Sequence, residues 1–189
     1  IKTNLSAFSI SFRNETFDNW GRSYEQVKNG TYHWKSTHYP PNIKSGQSMY
    51  ESACGVGLNL YMTLEILKEH NIDNIVVYGN EYLAESTERA NVVFDKLPPF
   101  NARKGKICTG DSTELAFVPS NAFDLVFTGY ISPLSDPLHY NKPKLDDNYD
   151  IYTKLCDAND ENSMKLAALA QEKQEDFYGQ WVGEMVRIA

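Results

Sequence analysis

Between residues 49 and 128 the apolar positions alternate between short unbroken runs and helical spacing. Ile75–Gly79 is one continuous run, as expected of a strand covered on both faces. Ahead of it, Leu60, Leu64 and Leu67 recur at helical intervals with Thr63, Lys68 and Glu69 between, which predicts a helix over Asn59–Glu69. Met49–Cys54 reads as a short strand running into a glycine loop. Leu83–Leu97 reads as a second helix, stopped by Pro98-Pro99. Lys106–Thr109 and Phe123–Thr128 complete the series as third and fourth strands. Strand, helix, strand, helix, strand, strand at this pitch predicts an α/β fold: a doubly wound, mostly parallel sheet with right-handed crossovers and helices on both faces.

The flanks have a different texture. Residues 1–48 form an aromatic-rich N-terminal arm or cap, with Phe17, Trp20, Tyr24, Tyr32, Trp34 and Tyr39 crowded together. A short helix is expected over Asn19–Lys28, with a turn at Asn29-Gly30 and a breaker-rich stretch through Pro40-Pro41 and Ser45-Gly46. The main domain is then 49–189. Within it, residues 132–161 form a long insertion after the fourth strand, with Pro133, Pro137 and Pro143, three tyrosines and the acidic residues Asp146, Asp147 and Asp150. A loop of that length is either a functional lid or a disordered insertion. Asn162–Ile188 is helical in composition, with Leu166, Leu169, Phe177, Trp181, Met185 and Ile188 as the expected buried stripe. No internal repeat is present.

Composition narrows the classes of function. The 189 residues make one domain with additions, and 41% hydrophobic content supports a core. A net charge of −7 argues against holding nucleic acid by phosphate neutralisation. No stretch reaches the roughly 18 apolar residues of a membrane span, and no leader opens the chain at Ile1. Cys54, Cys108 and Cys156 are too few for a disulfide framework, which points to a reducing, cytoplasmic setting. His33, His38 and His139 do not form a metal-ligand pattern, so no metal is expected.

The chemistry concentrates at strand ends. Glu51-Ser52-Ala53-Cys54-Gly55-Val56-Gly57-Leu58-Asn59 is a strand that ends in closely spaced glycines and opens a helix, a device for presenting backbone N–H groups to a ligand. A dinucleotide-binding turn would want a third glycine where Leu60 stands, and the Gly-Lys-Ser/Thr of a triphosphate loop is absent. Glu81, with Tyr82 beside it, ends the second strand, where a carboxylate accepts both hydroxyls of a ribose. Asp111-Ser112 follows the third strand, where a carboxylate can meet an adenine amine and a backbone N–H the ring. Thr128-Gly129 follows the fourth. All four segments fall at the carboxyl ends of parallel strands, where open α/β sheets bind ligands.

Taken together, these segments resemble the motifs of class I S-adenosylmethionine-dependent methyltransferases, whose first motif is written E-x-G-x-G-x-G and whose domain is Rossmann-like. The resemblance spans about Met49–Thr128 and the final helix. It implies S-adenosylmethionine as cofactor. Its methionine part would be lined by Ala53, Gly55 and Gly57, its ribose hydroxyls bound by Glu81, and its adenine amine met by Asp111 with Ser112 beside it; Glu51, Cys54, Asn59, Tyr82, Thr128 and Gly129 are the other cofactor-binding residues it implies. Ala53 stands where the family has its first glycine. The family's C-terminal strands do not follow the last helix, so either this is a fragment or the sheet is completed otherwise.

The implied reaction is direct displacement at a methyl on a sulfonium, with a small-molecule methyl acceptor. Trp20, Tyr24, Trp34 and Tyr130 are candidates for binding that acceptor, and Tyr130 and His139 for catalytic roles. Thr128-Gly129-Tyr130 lacks the Asn/Asp-Pro-Pro-aromatic pattern of nucleic-acid amino methyltransferases. A protein acceptor docked on the acidic insertion, a cofactor-binding scaffold without turnover, and an aminopropyl transferase stand as the other readings. The oligomeric state is left open.

Overall fold

The computed structural model describes residues 17–96, 101–129 and 160–189. In chain order they form α1 (Phe17–His38), a single 3-10 turn (Pro40–Asn42), β1 (Ser48–Glu51), α2 (Leu58–Glu69), β2 (Val76–Glu81), α3 (Ala84–Lys96), β3 (Arg103–Thr109), β4 (Leu125–Phe127) and α4 (Glu161–Ile188). The four strands make one sheet in the order β3-β2-β1-β4, and every pairing is parallel. Tyr50 of β1 lies opposite Tyr78 of β2 on one side and Val126 of β4 on the other. The strand order reverses between β1 and β4, and that reversal opens a crevice at their carboxyl ends.

The period-2 alternation of the strands divides the core in two. Met49, Val77, Ile107 and Phe127 face one side, packed with Tyr39, Leu60, Ile66, Leu67, Ala90 and Phe94 from the α1, α2 and α3 side of the sheet. Tyr50 faces the other, with Leu115, Val118, Met185 and Ile188, and with Tyr78, Val126 and Trp181 half-buried around them. Helices therefore cover both faces, as the sequence pattern predicts for a Rossmann-like α/β domain.

The N-terminal segment departs from its expectation. The predicted ten-residue helix and the turn at Asn29-Gly30 are instead one continuous helix of 22 residues, with Gly30 in its middle. A mid-helix glycine costs about 1 kcal/mol, and packing against α2 outweighs it. Tyr24 is buried edge-on to Tyr61, with ring centroids 5.4 Å apart, and its hydroxyl donates to Glu65. Lys28 donates to the same carboxylate at 2.9 Å, and the Tyr32 hydroxyl donates to Glu69. Tyr24, Lys28, Tyr32 and Lys35 are thus one helical stripe.

In α4 the expected buried stripe holds only in part. Met185 and Ile188 are buried, while Leu169 is 40% exposed, because the described sheet-side core meets the helix at its last turns. Asp160 caps the helix, accepting from the Ser163 backbone N–H at 3.0 Å. At the far end the Arg187 guanidinium donates to the carbonyls of Leu115 and Val118, and the Glu184 carboxylate accepts from the Leu115 N–H. These bonds clasp the segment before β4 onto the helix.

Candidate functional site

The glycine loop forms as its residue types require. Ala53, Gly55 and Gly57 all have positive φ, at 53°, 56° and 87°. Two of the three are glycine, which adopts this region without a Cβ penalty; Ala53 pays for it. Gly57 must also be small, since a Cβ there would stand 2.8 Å from the Phe94 ring. The loop leads into α2, whose first N–H groups have no preceding turn to bond and no side-chain cap.

Glu81 ties this loop to the sheet. Its Oε2 accepts from the Gly55 N–H at 3.0 Å and its Oε1 from the Leu83 N–H at 3.1 Å. The carboxyl is only 2% exposed, and burial raises its pKa against those backbone donors. The Tyr82 backbone N–H also favours its charged form, and this is the carboxyl to which the sequence reading assigns the ribose hydroxyls. Beside it, the Asn80 amide donates to Ser112 Oγ and to the Gly110 carbonyl, both at 2.9 Å, and its oxygen accepts from the Tyr50 hydroxyl at 2.8 Å. Asn80 thereby locks the loop after β3 against β2.

At the end of β1 lies a buried charged cluster. Glu51 is 0% exposed. Its Oε1 accepts from the Gly129 N–H at 3.1 Å, and its Oε2 has no hydrogen-bond partner among the described residues. Lys35 of α1, 3% exposed, donates to Asn59 Oδ1 at 2.6 Å and lies over the Tyr39 and Phe127 rings. Burial pushes the Glu51 carboxyl up, opposed by the charge of Lys35; burial likewise pushes the Lys35 ammonium down, opposed by Glu51. A buried carboxyl oxygen without a partner costs about 1–3 kcal/mol.

The remaining candidates divide. Asn59 is buried at the start of α2 and joins Lys35 to the crevice. Gly129 approaches so closely that a Cβ would fall 1.6 Å from Asn59 Nδ2. Thr128 donates to the Ser52 carbonyl at 2.9 Å, closing β4 onto β1. The Cys54 side chain is buried against Gly79, and its backbone N–H donates to the Asn80 carbonyl. Asp111 uses its Oδ1 to close its own turn, accepting from the Thr113 N–H and hydroxyl. Tyr82 is 53% exposed. Among the acceptor candidates, Tyr24 is spent on packing α1 to α2, and Trp34 stacks on His38 and is 55% exposed. The Trp20 side chain, Tyr130, His139 and residues 132–159 of the insertion lie outside the described residues.

Sequence reasoning missed Lys35, Tyr39 and Trp181. The Trp181 indole donates to Ser52 Oγ at 3.0 Å, which anchors α4 to the strand end just before the glycine loop. The signal for Lys35 was its place on the Tyr24–Lys28–Tyr32 stripe, hidden by reading Asn29-Gly30 as a turn.

The parallel order β3-β2-β1-β4 with helices on both faces defines a Rossmann-like α/β domain. Solved structures similar to the chain include a SAM-dependent methyltransferase from Aquifex aeolicus, 16% identical, covering 72% of this chain and 87% of that one, with a TM-score of 0.37. An arsenic(III) S-adenosylmethionine methyltransferase from Chlamydomonas reinhardtii is 14% identical over 70% of this chain and 42% of its own, at TM-score 0.39. A SAM-dependent methyltransferase from Methanosarcina mazei is 15% identical over 46% of this chain and 38% of its own, at 0.35. The chain thus spans about two fifths of the length of the last two. No family model matches the sequence, and no curated protein matches it. Among the described residues no helix is long and apolar enough to cross a membrane, and no cluster of three or more His, Cys, Asp or Glu is placed to hold a metal.

Proposed function

We propose that the chain binds S-adenosylmethionine at the carboxyl ends of β1, β2 and β4 and transfers its methyl group to a small-molecule acceptor by direct displacement. The observation that carries this reading is Glu81: a buried carboxylate at the end of β2 that holds the glycine loop by the Gly55 N–H, at the strand end where such folds bind a ribose. The orphaned oxygen of Glu51 fits the ammonium of the methionine group, and the open N–H groups at the start of α2 fit its polar edge.

When bound, the cofactor supplies a methyl already activated on a sulfonium. The chain's own part is therefore orientation and exclusion of water. Glu81 and Asn80 fix the two loops that would flank the nucleoside, and Gly129 leaves room at the crevice edge. A general base is needed only where the acceptor carries a proton at working pH. The free thiols of Cys54 and Cys108 suit a cytoplasmic setting.

Calorimetric titration with S-adenosylmethionine and S-adenosylhomocysteine tests the reading. Wild type binds in the micromolar range, and Glu81→Ala loses about 1–3 kcal/mol as buried ribose hydroxyls are stranded. A folded wild-type chain that binds neither compound ends the proposal.

A further inference from the structure

Two polar side chains stand in the core on the α4 side of the sheet. Tyr50 of β1 is 2% exposed and stacks on Phe123, with ring centroids 4.7 Å apart, among Leu115, Val118, Met185 and Ile188. Asn80 of β2 is fully buried, and the Tyr50 hydroxyl donates to its Oδ1 at 2.8 Å. Phenylalanine and leucine would fill this space without desolvating a hydroxyl and an amide, and replacing both partners together is close to neutral in stability. Stability alone therefore gives little reason for the two polar groups. The amide nitrogen supplies another. One of its hydrogens goes to the Gly110 carbonyl and the other to Ser112 Oγ, each at 2.9 Å. A flipped amide would set two acceptors against each other at Gly110, so one orientation satisfies all the partners, with Tyr50 donating to the oxygen. The Gly110 N–H donates in turn to the Glu81 carbonyl at 3.0 Å. Gly110 is thus tied on both sides, and Asp111 and Ser112 leave it in a fixed direction.

We propose that Tyr50 and Asn80 form a positioning relay for nucleobase selection. Tyr50 orients the Asn80 amide, and the amide holds the 110–112 loop so that the Asp111 carboxylate and the Ser112 N–H accept a 6-amino base and reject a 6-oxo one. This rests on the reading above, in which the ligand is S-adenosylmethionine, and extends it to two core residues that touch no ligand themselves. A 6-oxo base carries a carbonyl and a ring N–H where adenine has an amine and a bare ring nitrogen. Donor and acceptor are exchanged at both positions. A loop held in place leaves both groups mispaired, whereas a loop free to turn pairs with either base.

Binding isotherms for S-adenosylhomocysteine and S-inosylhomocysteine test this on wild type, Tyr50→Phe, Asn80→Leu and the double variant. Wild type prefers the adenine compound by about 100-fold or more, the range for polar groups mispaired at two positions. Asn80→Leu cuts the preference to less than about 10-fold, and Tyr50→Phe, which leaves Asn80 Oδ1 without its donor, falls between the two. The double variant leaves neither partner stranded, so its denaturation midpoint lies above that of Asn80→Leu while the preference stays lost. Stability and selection then separate, which residues serving the fold alone would not produce. A double variant that keeps the wild-type preference, or variants that weaken both compounds by one factor, overturns the relay and leaves the cofactor site standing. Equal binding of the two compounds by wild type overturns it as well. A folded wild type that binds neither overturns the methyltransferase reading and the relay with it.

Discussion

The side-chain amide of Asn59 lies against the Cα of Gly129, so near that a Cβ at 129 would stand 1.6 Å from Asn59 Nδ2. The contact joins the start of α2 to the end of β4 across the switch point of the sheet, and Asn59 in turn receives Lys35. Gly129→Ala must therefore displace Asn59, at about 1–3 kcal/mol in stability. In an Asn59→Ala background the same substitution costs less, and chemical denaturation of the four proteins of that cycle reads the coupling directly. Additive effects would show that the two residues do not share this space.

A second backbone prediction concerns Ala53. At φ 53° it occupies the left-handed region, where a Cβ is disfavoured, and it stands where the methyltransferase motif has glycine. Ala53→Gly relieves that strain and gives back part of the gain through the freer unfolded chain, for a net stabilisation of about 0.5–1 kcal/mol. Denaturant midpoints compared with wild type check it. An unchanged or lower midpoint would mean that the loop does not hold this conformation in solution.

Much of this architecture was legible because its signals are local. The run at Ile75–Gly79, the helical spacing from Leu60 to Leu67 and the glycines of the loop each depend on neighbours within a few residues. They led directly to the parallel sheet and to Glu51, Gly55, Gly57 and Glu81 at the strand ends. Lys35 was not legible, because its contact with Asn59 depends on α1 continuing through Asn29-Gly30, and the partners that hold α1 there, Glu65 and Glu69 among them, lie on a distant helix. Trp181 was read as plain core for the same reason: its partner, Ser52, lies 129 positions away in the chain. Asp111 stands at the position the sequence reading expects, and its Oδ1 closes its own turn, a contact set by residues two positions away.

The Glu51–Lys35 cluster predicts a pH dependence of stability. Burial raises the Glu51 pKa from 4.5 to about 8, so between those values the unfolded chain has released a proton that the folded chain retains. Stability therefore falls as pH rises through that window. The Lys35 pKa is lowered from 10.5 to about 8, so the unfolded chain holds the extra proton above pH 8 and stability recovers. Glu51→Gln removes the descent, whose slope reaches at most about 1.4 kcal/mol per pH unit for one group. Denaturation midpoints at pH 5, 6.5 and 8 provide the test: curves for wild type and variant that run parallel would show that Glu51 titrates as in the unfolded chain.

Trp181 offers an optical reading of the same crevice. Its indole donates to Ser52 Oγ at 3.0 Å, and Ser52 is fixed on both sides, its N–H to the Phe127 carbonyl and its own carbonyl to the Thr128 hydroxyl. The next residue is Ala53, the first of the three positive-φ positions. Ligand seated on the loop changes the polarity around the indole without breaking this frame. In a Trp20→Phe, Trp34→Phe background, where Trp181 is the remaining tryptophan, S-adenosylhomocysteine shifts the emission and saturates at the affinity found by calorimetry. Adding Ser52→Ala strands the indole N–H at a cost of about 1 kcal/mol and reduces the optical signal, while binding measured by calorimetry persists. An emission spectrum unmoved at saturating ligand would place the bound molecule away from the end of β1, and with it the loop assignment would fail.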